Sequence, residues 1–137
     1  VMGADVLDTP TVRGLGDVVN GIVHTSGGYP EPGSKHADFN ARFKAATGME
    51  ADTNYVVNGC DIALMIDAAV TAAGSSDPKA VRDALANLKD SPGNMSNFTF
   101  AGTDRMPLRA VVLAKIENGQ KTFIRRQLAD PATMPKP

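Results

Sequence analysis

The run VVNGCDIALMIDAAVTAA, Val56–Ala73, is the longest apolar and periodic stretch of this sequence. Its apolar side chains recur every three or four residues, which is the spacing of one face of a helix. The members of this stripe are Val57, Cys60, Leu64, Ala68 and Ala72, with Val56, Ala63 and Ala69 beside them. Asp61 and Asp67 are the only charged residues in the run. We therefore predict a helix over Asn54–Ala73 that other protein covers on most of its surface.

Boundary signals on either side of this run predict further helices. Gly74 is typical of a position just past a helix end. Asp77 followed by Pro78 is a typical helix start, which predicts a second helix over Lys79–Leu88. Upstream, a third helix is predicted over residues 35–47, and Thr9-Pro10 predicts a short one that nearby glycines end. The helices thus occupy the middle of the sequence.

Strand-forming segments lie toward the two ends of the chain. They are Val1–Gly3, Asn20–Thr25, Asn97–Phe100, Leu108–Ile116 and Lys121–Arg126. Asn118-Gly119 between the last two is a strong signal for a hairpin turn, so we expect an antiparallel C-terminal hairpin. Strands at both ends with helices between them predict a mixed α/β fold. The central helices have few strands of their own to cover.

Composition limits the possible function classes. The 137 residues are 42% hydrophobic and 21% charged, which is typical of a globular chain. The net charge of −1 gives no electrostatic basis for binding nucleic acid or an anionic membrane. No run of 18 apolar residues is free of charge, so no membrane-spanning segment is predicted. The chain starts abruptly inside an apolar stretch, as we expect of a piece of a longer protein.

Motifs for catalysis or for cofactors are weak. The Gly-Leu-Gly run at 14–16 lacks the third glycine of a dinucleotide-binding loop. Three residues could ligate a metal, but none pairs with another at local spacing. These are His24, His36 and Cys60. Asp5 and Asp8 could form a catalytic carboxylate pair, although loop aspartates usually shape turns. We therefore predict no catalytic residue, no metal and no cofactor.

In their order and spacing, these segments resemble the C-terminal part of type I periplasmic solute-binding proteins of ABC transporters. The resemblance is to the branched-chain amino acid-binding branch and runs from Met2 to about Ile124. Its most specific pieces are the G-x-D loop at Gly3–Asp5, the pairs Gly16-Asp17 and Asn20-Gly21, and AGSSDPKAVRDAL at Ala73–Leu85.

The resemblance implies part of a bilobed α/β fold, each lobe a parallel sheet flanked by helices. Residues 1–128 would be the C-terminal segment of that fold, and residues 129–137 a Pro-rich tail. Within the segment, 1–23 and 97–126 would belong to the second lobe, whereas the helices within 35–88 would pack on the first lobe. The chain would cross between lobes at hinge residues Thr25, Ser26 and Asn97. Since the first lobe's sheet lies outside this sequence, we expect Val57, Leu64 and Ala68 to be left open or to meet a partner.

The resemblance also implies a function without catalysis. The protein would be the periplasmic, bacterial solute-binding component of an ABC transporter. Its ligand would be an amino acid of the branched-chain type, or a similar small carboxylic acid, in the cleft between the lobes. Asp5 would accept hydrogen bonds from the ligand's ammonium group, with Gly3 and Ala4 beside it.

The implied partners are the small ligand, the membrane permease and the remaining N-terminal part of the protein, and no nucleic acid. Two alternatives remain open at this point. One is a ligand-sensing domain of the same fold, which sequence does not separate from a transport component. The other is a small α/β enzyme, which requires a nucleophile and base that the sequence does not show.

Overall fold

The computed structural model describes residues 2–103, 106–128, 130 and 132. The strands are β1, Met2–Gly3; β2, Val23–Ser26; β3, Ala110–Glu117; and β4, Gln120–Leu128. The helices are α1, Pro10–Arg13; α2, Lys35–Thr47; α3, Asn54–Ala73; and α4, Pro78–Ala86. Short 3₁₀-helices span Asp5–Leu7 and Gly16–Val19. The mixed α/β architecture predicted from the sequence is confirmed.

The four strands form one sheet in the order β1-β2-β3-β4. β1 pairs parallel with β2, whereas β2 with β3 and β3 with β4 are antiparallel. The predicted hairpin is confirmed, because β3 and β4 meet at Asn118 and Gly119, both with positive φ (51° and 73°). This geometry is the one that Asn-Gly supplies in a two-residue turn.

One face of the sheet is buried, and the alternation of side chains in β3 shows which face it is. Val112, Ala114 and Ile116 have no exposed surface. His24 and Ser26 of β2 lie directly opposite Ala114 and Val112 and are also buried. Because successive strand residues point to opposite faces, these five side chains share one side of the sheet. The intervening residues of β2 and β3 are half-buried.

Local signals set the ends of the long helices. Ser34 and Asp77 accept hydrogen bonds from the N–H groups of residues three positions later, and Gly74 ends α3 in the left-handed conformation. The predicted bounds of α3 are confirmed. α4 ends at Ala86, before the predicted Leu88; the N–H groups of residues 87 and 88 bond to carbonyls three positions back, and the Leu88 carbonyl accepts the N–H groups of residues 100 and 101. α4 packs against α3, as expected.

The burial of α3 departs from the expectation for its apolar stripe. Leu64 is 41% exposed, which matches the prediction, but Val57 is completely buried. Val57 packs with Phe39 of α2, with Ala51 and with Met95, and these cover the N-terminal half of the helix. The prediction that Val57 would be left open was therefore wrong. By length and composition alone α3 could also cross a membrane, a test that core helices of soluble proteins meet as well.

The strand predicted over Asn97–Phe100 is absent from this described part of the chain. Phe98 instead pairs with Ser91, and Thr99 with Leu108, through isolated bridges. Phe98 is buried, and its ring lies so close to Gly93 that a Cβ there would come within 2.4 Å. The segment is therefore fixed by a tight turn on one side and by a single bridge on the other. This pairing also explains why β3 begins at Ala110 and not at Leu108. The Pro-rich tail predicted at 129–137 lies outside the described residues, apart from 130 and 132.

Candidate functional site

A pocket of about 230 Å³ lies where β1 and β2 end. It is lined by Asp5, Thr25, Ser26, Gly27, Arg109 and Val111. In α/β sheets, ligands bind beyond the carboxyl ends of the strands, which is where β1 runs into the turn that carries Asp5. Small-molecule sites usually have volumes of about 300–1,000 Å³, so this pocket is the size of part of such a site.

Of the predicted ligand residues, the structure brings Asp5 to the pocket. Its side chain is exposed and makes no hydrogen bond or ion pair with any described residue. Ala4 precedes the 3₁₀-helix and is exposed beside it. Gly3 has a packing role, because a Cβ at this position would lie 2.1 Å from Cδ1 of Leu7. The carboxylate of Asp5 is thus free to accept a donor from outside the chain.

The residues predicted as hinges occupy two places. Thr25 and Ser26 both line the pocket, and the Thr25 hydroxyl has no hydrogen-bond partner among the described side chains. Asn97 lies apart from the pocket, is exposed, and donates a hydrogen bond of 2.9 Å to Oδ1 of Asp90. Their role as hinges stays a prediction.

Directly behind Ser26 lies a buried polar cluster centred on the carboxylate of Asp8, which is 2% exposed. Oδ2 accepts hydrogen bonds from Ser26 Oγ at 2.7 Å, Asn54 Nδ2 at 2.8 Å and Lys121 Nζ at 2.8 Å. Oδ1 accepts from Arg13 Nη1 at 3.2 Å. The cluster joins the start of α3 to β2 and β4, so it ties the helices to the sheet.

This cluster had no signal in the sequence. The partners of Asp8 lie 5, 18, 46 and 113 residues away along the chain. No local motif connects residues at such distances, and Asp8 alone looks like any aspartate in a turn. Two cations and two neutral donors compensate the cost of burying its charge.

A second buried carboxylate fixes the segment that leads back toward the sheet. Asp61 of α3 accepts hydrogen bonds from the backbone N–H of Asn94 at 2.7 Å and of Met95 at 3.2 Å. It also accepts one from Nδ2 of Asn94 at 2.8 Å. Asp61, which interrupts the apolar run of α3, therefore has a structural role: it anchors the turn whose Met95 covers Val57.

His36 lies in the first turn of α2 and is buried near Gly28, in the loop that follows β2. Burial lowers the pKa of His36 from 6.5 to about 4, and the positive charge of Lys121 acts in the same direction. Its Nδ1 faces Gly28, where a Cβ would come within 2.9 Å, and has no hydrogen-bond partner in the described structure. The ring is therefore neutral at neutral pH.

Sequence reasoning missed Gly27, Arg109 and Val111 of the pocket, and Arg109 is the charged one among them. It is half-buried, and its guanidinium lies against Gly27, where a Cβ would be 2.5 Å from Nη2. It makes no ion pair or hydrogen bond with a described residue. Its sequence context, directly before β3, gave no sign of this position, because the pocket forms only when β3 pairs with β2.

No metal centre is found within the described ranges, since no three His, Cys, Asp or Glu side chains lie close enough to hold an ion. The three residues considered as possible ligands are in different surroundings. His24 is in β2, His36 in α2 and Cys60 in α3. The polar side chains that line the pocket are one carboxylate, one guanidinium and two hydroxyls, of which that of Ser26 already bonds to Asp8.

Comparison with known proteins identifies the family. The sequence profile described as periplasmic binding protein matches residues 1–121. The chain therefore belongs to the periplasmic binding protein family, as the resemblance indicated. A search of curated proteins found no significant match.

Solved structures share the fold. A leucine-binding protein, LivK, from Thermotoga maritima has a TM-score of 0.75 at 22% identity, over 91% of this chain and 36% of that one. A branched-chain amino acid ABC transporter periplasmic ligand-binding protein from Burkholderia xenovorans also has a TM-score of 0.75 at 22% identity, with 93% and 36% covered. A solute-binding protein from R. palustris, in complex with benzoate, has a TM-score of 0.63 at 21% identity, with 84% and 32% covered. The chain thus spans about a third of the length of these proteins.

Proposed function

We propose that this chain is part of the extracytoplasmic solute-binding component of an ABC transporter. Its ligand is an amino acid of the branched-chain type, or a similar small carboxylic acid. Membership of the family supports this proposal, and so do the related folds whose ligands are leucine and benzoate. The partners are the solute and the membrane permease, and the location is the periplasm.

We also propose that the chain is the C-terminal segment of a two-lobe protein. Residues 1–23 and 97–126 belong to the second lobe, and the helices within 35–88 pack on the sheet of the first lobe. Exposed apolar residues of α3 support this division, with Ile62 at 52% and Ile66 at 53%. Large exposed apolar patches mark surfaces that other protein covers. The pocket at the strand ends is then one wall of the cleft between the lobes, with Thr25, Ser26 and Asn97 at the crossings.

The observation that carries the functional proposal is the unpaired carboxylate of Asp5 in the pocket. An ammonium group that leaves water for a closed cleft requires a charged or strongly polar acceptor. The carboxylate of Asp5 stands just past the end of β1 and accepts no hydrogen bond from a described residue, so it is available to a ligand. The neutral and cationic groups around Asp8 leave that second carboxylate already occupied.

The test is a thermal-shift screen of the full-length protein against the common amino acids and small carboxylic acids. A ligand that binds the folded state raises the melting temperature with its concentration relative to Kd. We expect a branched-chain amino acid to give the largest shift. Asp5→Ala should weaken its binding about ten- to a hundredfold, as expected for loss of a charged hydrogen bond.

Asp17→Ala is the matched control. Asp17 is exposed in the second 3₁₀-helix, so this substitution removes the same charge at a position outside the pocket. It should leave the affinity unchanged. A full-length protein that no amino acid or carboxylic acid stabilises would contradict the proposed function. Equal affinities for the Asp5 and Asp17 variants would remove Asp5 from the ligand site.

A further inference from the structure

The arginines of the described chain differ in how their charge is satisfied. Three form ion pairs, and two are exposed to solvent. The paired ones are Arg13 with Asp8, Arg82 with Asp83 and Arg126 with Glu31; the exposed ones are Arg42 and Arg125. Arg109 alone among the described arginines is half-buried and without a partner. A guanidinium removed from part of its water, with five donors unmatched, is suited to an external acceptor.

The position of Arg109 depends on a glycine. Gly27 is buried and lines the same pocket, and a Cβ at Gly27 would come within 2.5 Å of Nη2 of Arg109. Nη2 of Arg109 therefore occupies the space that a side chain at Gly27 would take. This contact places a positive charge in the pocket. The other charged residue that lines the pocket is Asp5, which is negative.

We propose that Arg109 binds the carboxylate of the solute, so that Asp5 and Arg109 together select a zwitterionic α-amino acid. This inference rests on the proposed function and identifies the feature of the ligand that the site reads. The planar guanidinium matches a carboxylate with two parallel hydrogen bonds, and the free Thr25 hydroxyl supplies a further donor. A simple amine leaves Arg109 unmatched, and a simple carboxylate leaves Asp5 unmatched. Inorganic phosphate suits the site less, because it has no ammonium group to offset the negative charge of Asp5.

The experiment is calorimetric titration of the full-length protein with four probes. They are L-leucine, 4-methylpentanoate (which lacks the amine), 3-methylbutylamine (which lacks the carboxylate) and inorganic phosphate. The wild-type protein should bind leucine most tightly and phosphate not at all. Arg109→Gln should weaken binding of both leucine and 4-methylpentanoate about ten- to a hundredfold. Asp5→Asn should weaken leucine by a similar factor and leave 4-methylpentanoate unchanged or stronger.

Two further variants separate recognition from stability and from net charge. Arg125→Gln removes the same charge from an exposed position in β4 and should leave every affinity unchanged. Gly27→Ala keeps the arginine but displaces its guanidinium, because the new methyl group meets only the flexible end of that side chain at short distance. Loss of leucine affinity in Gly27→Ala, with an unchanged unfolding midpoint, would support a positioned guanidinium.

The outcomes separate the two proposals. If the wild-type protein binds leucine but Arg109→Gln binds it equally well, Arg109 does not read the carboxylate, whereas the proposed function stands. Binding of 3-methylbutylamine as tightly as leucine would overturn the inference in the same way. A wild-type protein that binds neither leucine nor 4-methylpentanoate, and that no other amino acid or small carboxylic acid stabilises, would overturn both proposals.

Discussion

At the scale of single residues, the carboxylate of Asp8 accepts four hydrogen bonds directly behind the pocket. Its two oxygens accept from two cations, one hydroxyl and one amide, all within 3.2 Å. The carboxylate thus fixes Ser26 on the pocket side and Asn54 on the helix side. A buried carboxylate of this kind stabilises the fold only while its hydrogen-bond donors remain in place, because removal of either partner leaves a buried charge uncompensated.

Asp8→Asn should therefore destabilise the folded protein strongly. The amide of asparagine places a second donor against Lys121 and leaves its charge without a partner. Loss of one member of a buried ion pair costs about 3–5 kcal/mol. The free energy of unfolding of the full-length protein, measured in urea, should fall by about that amount. Glu50→Gln breaks the exposed pair with Lys44 and should cost about 1 kcal/mol or less. Equal losses in the two variants would contradict the structural role of Asp8.

His36 makes stability depend on pH. The unfolded chain binds a proton at this residue near pH 6.5, whereas burial lowers the pKa in the folded protein to about 4. The unfolded state therefore binds more protons between these values, so stability is highest above pH 6.5 and falls as the pH drops toward 4. Between pH 7 and pH 5 the loss should be about 2 kcal/mol.

The measurement is the unfolding free energy of wild-type protein and of His36→Gln at pH 7 and pH 5. Because glutamine does not titrate, this variant should lose about 2 kcal/mol less than the wild-type protein over the same interval. Parallel pH profiles for the two proteins would show that another group carries the dependence.

At the scale of elements, α3 has covered and exposed positions along its length, with buried Val57, Asp61 and Ala69 beside exposed apolar side chains. Val57 and Asp61 are covered, whereas Leu64 and Ile66 face outward. The two aspartates of the helix differ accordingly, although both interrupt the same apolar run. Asp61 holds the turn at residues 94 and 95, and Asp67 is exposed.

This difference predicts unequal effects of the same substitution in one helix. The two carboxylate oxygens of Asp61 accept three hydrogen bonds. Asp61→Asn removes the negative charge and replaces one of these oxygens with an NH₂ group, so it should destabilise the full-length protein by about 1–3 kcal/mol. Asp67→Asn should change stability by about 0.5 kcal/mol or less, as at most surface sites. Denaturant unfolding of both variants gives the comparison. A cost for Asp67→Asn as large as that for Asp61→Asn would mean that Asp67 is also engaged.

Elements with local signals were predictable, and those defined by distant contacts were not. The bounds of α3 and the hairpin turn follow from Gly74 and from Asn118-Gly119, whose preferences act within a few residues. The residues around Phe98 have the alternating pattern of a strand, but Phe98 and Thr99 each form only one isolated bridge, with Ser91 and Leu108.

The site divides in the same way. The G-x-D loop identified Asp5 at the pocket through its resemblance to a family. Arg109 and the partners of Asp8 enter their places only when β3 and β4 pair with β2. No pattern within a window of residues expresses those contacts, because the sheet brings together positions from opposite ends of the sequence.

At the scale of the whole molecule, the sheet and the helices meet through the cluster around Asp8 and through the turn held by Asp61. Beyond these contacts, the helices present apolar side chains outward. We expect the sheet of the first lobe to cover this surface in the full-length protein, since the chain spans about a third of the length of its structural relatives.

Ile66→Lys tests that expectation. If Ile66 packs against the first lobe, a lysine buries a charge without a partner, and the full-length protein should lose about 2 kcal/mol or more. Thr71→Lys, at an exposed polar position of the same helix, should have little effect. Thermal unfolding of both variants supplies the comparison. Stability of Ile66→Lys close to that of the wild-type protein would show that this surface faces water.

The order of strands in the sheet also bears on how the protein is made. A ribosome releases β2 long before β3, yet β3 is the antiparallel neighbour of β2, whose other edge has only the two residues of β1. Until β3 emerges, this edge of β2 is unpaired and open to other chains or chaperones. Nascent chains stalled before Ala110 should therefore be held by chaperones, and chains long enough for β3 and β4 to leave the ribosome should be released. The pairing of β3 with β2 covers that edge and also brings Arg109 and Val111 to the pocket.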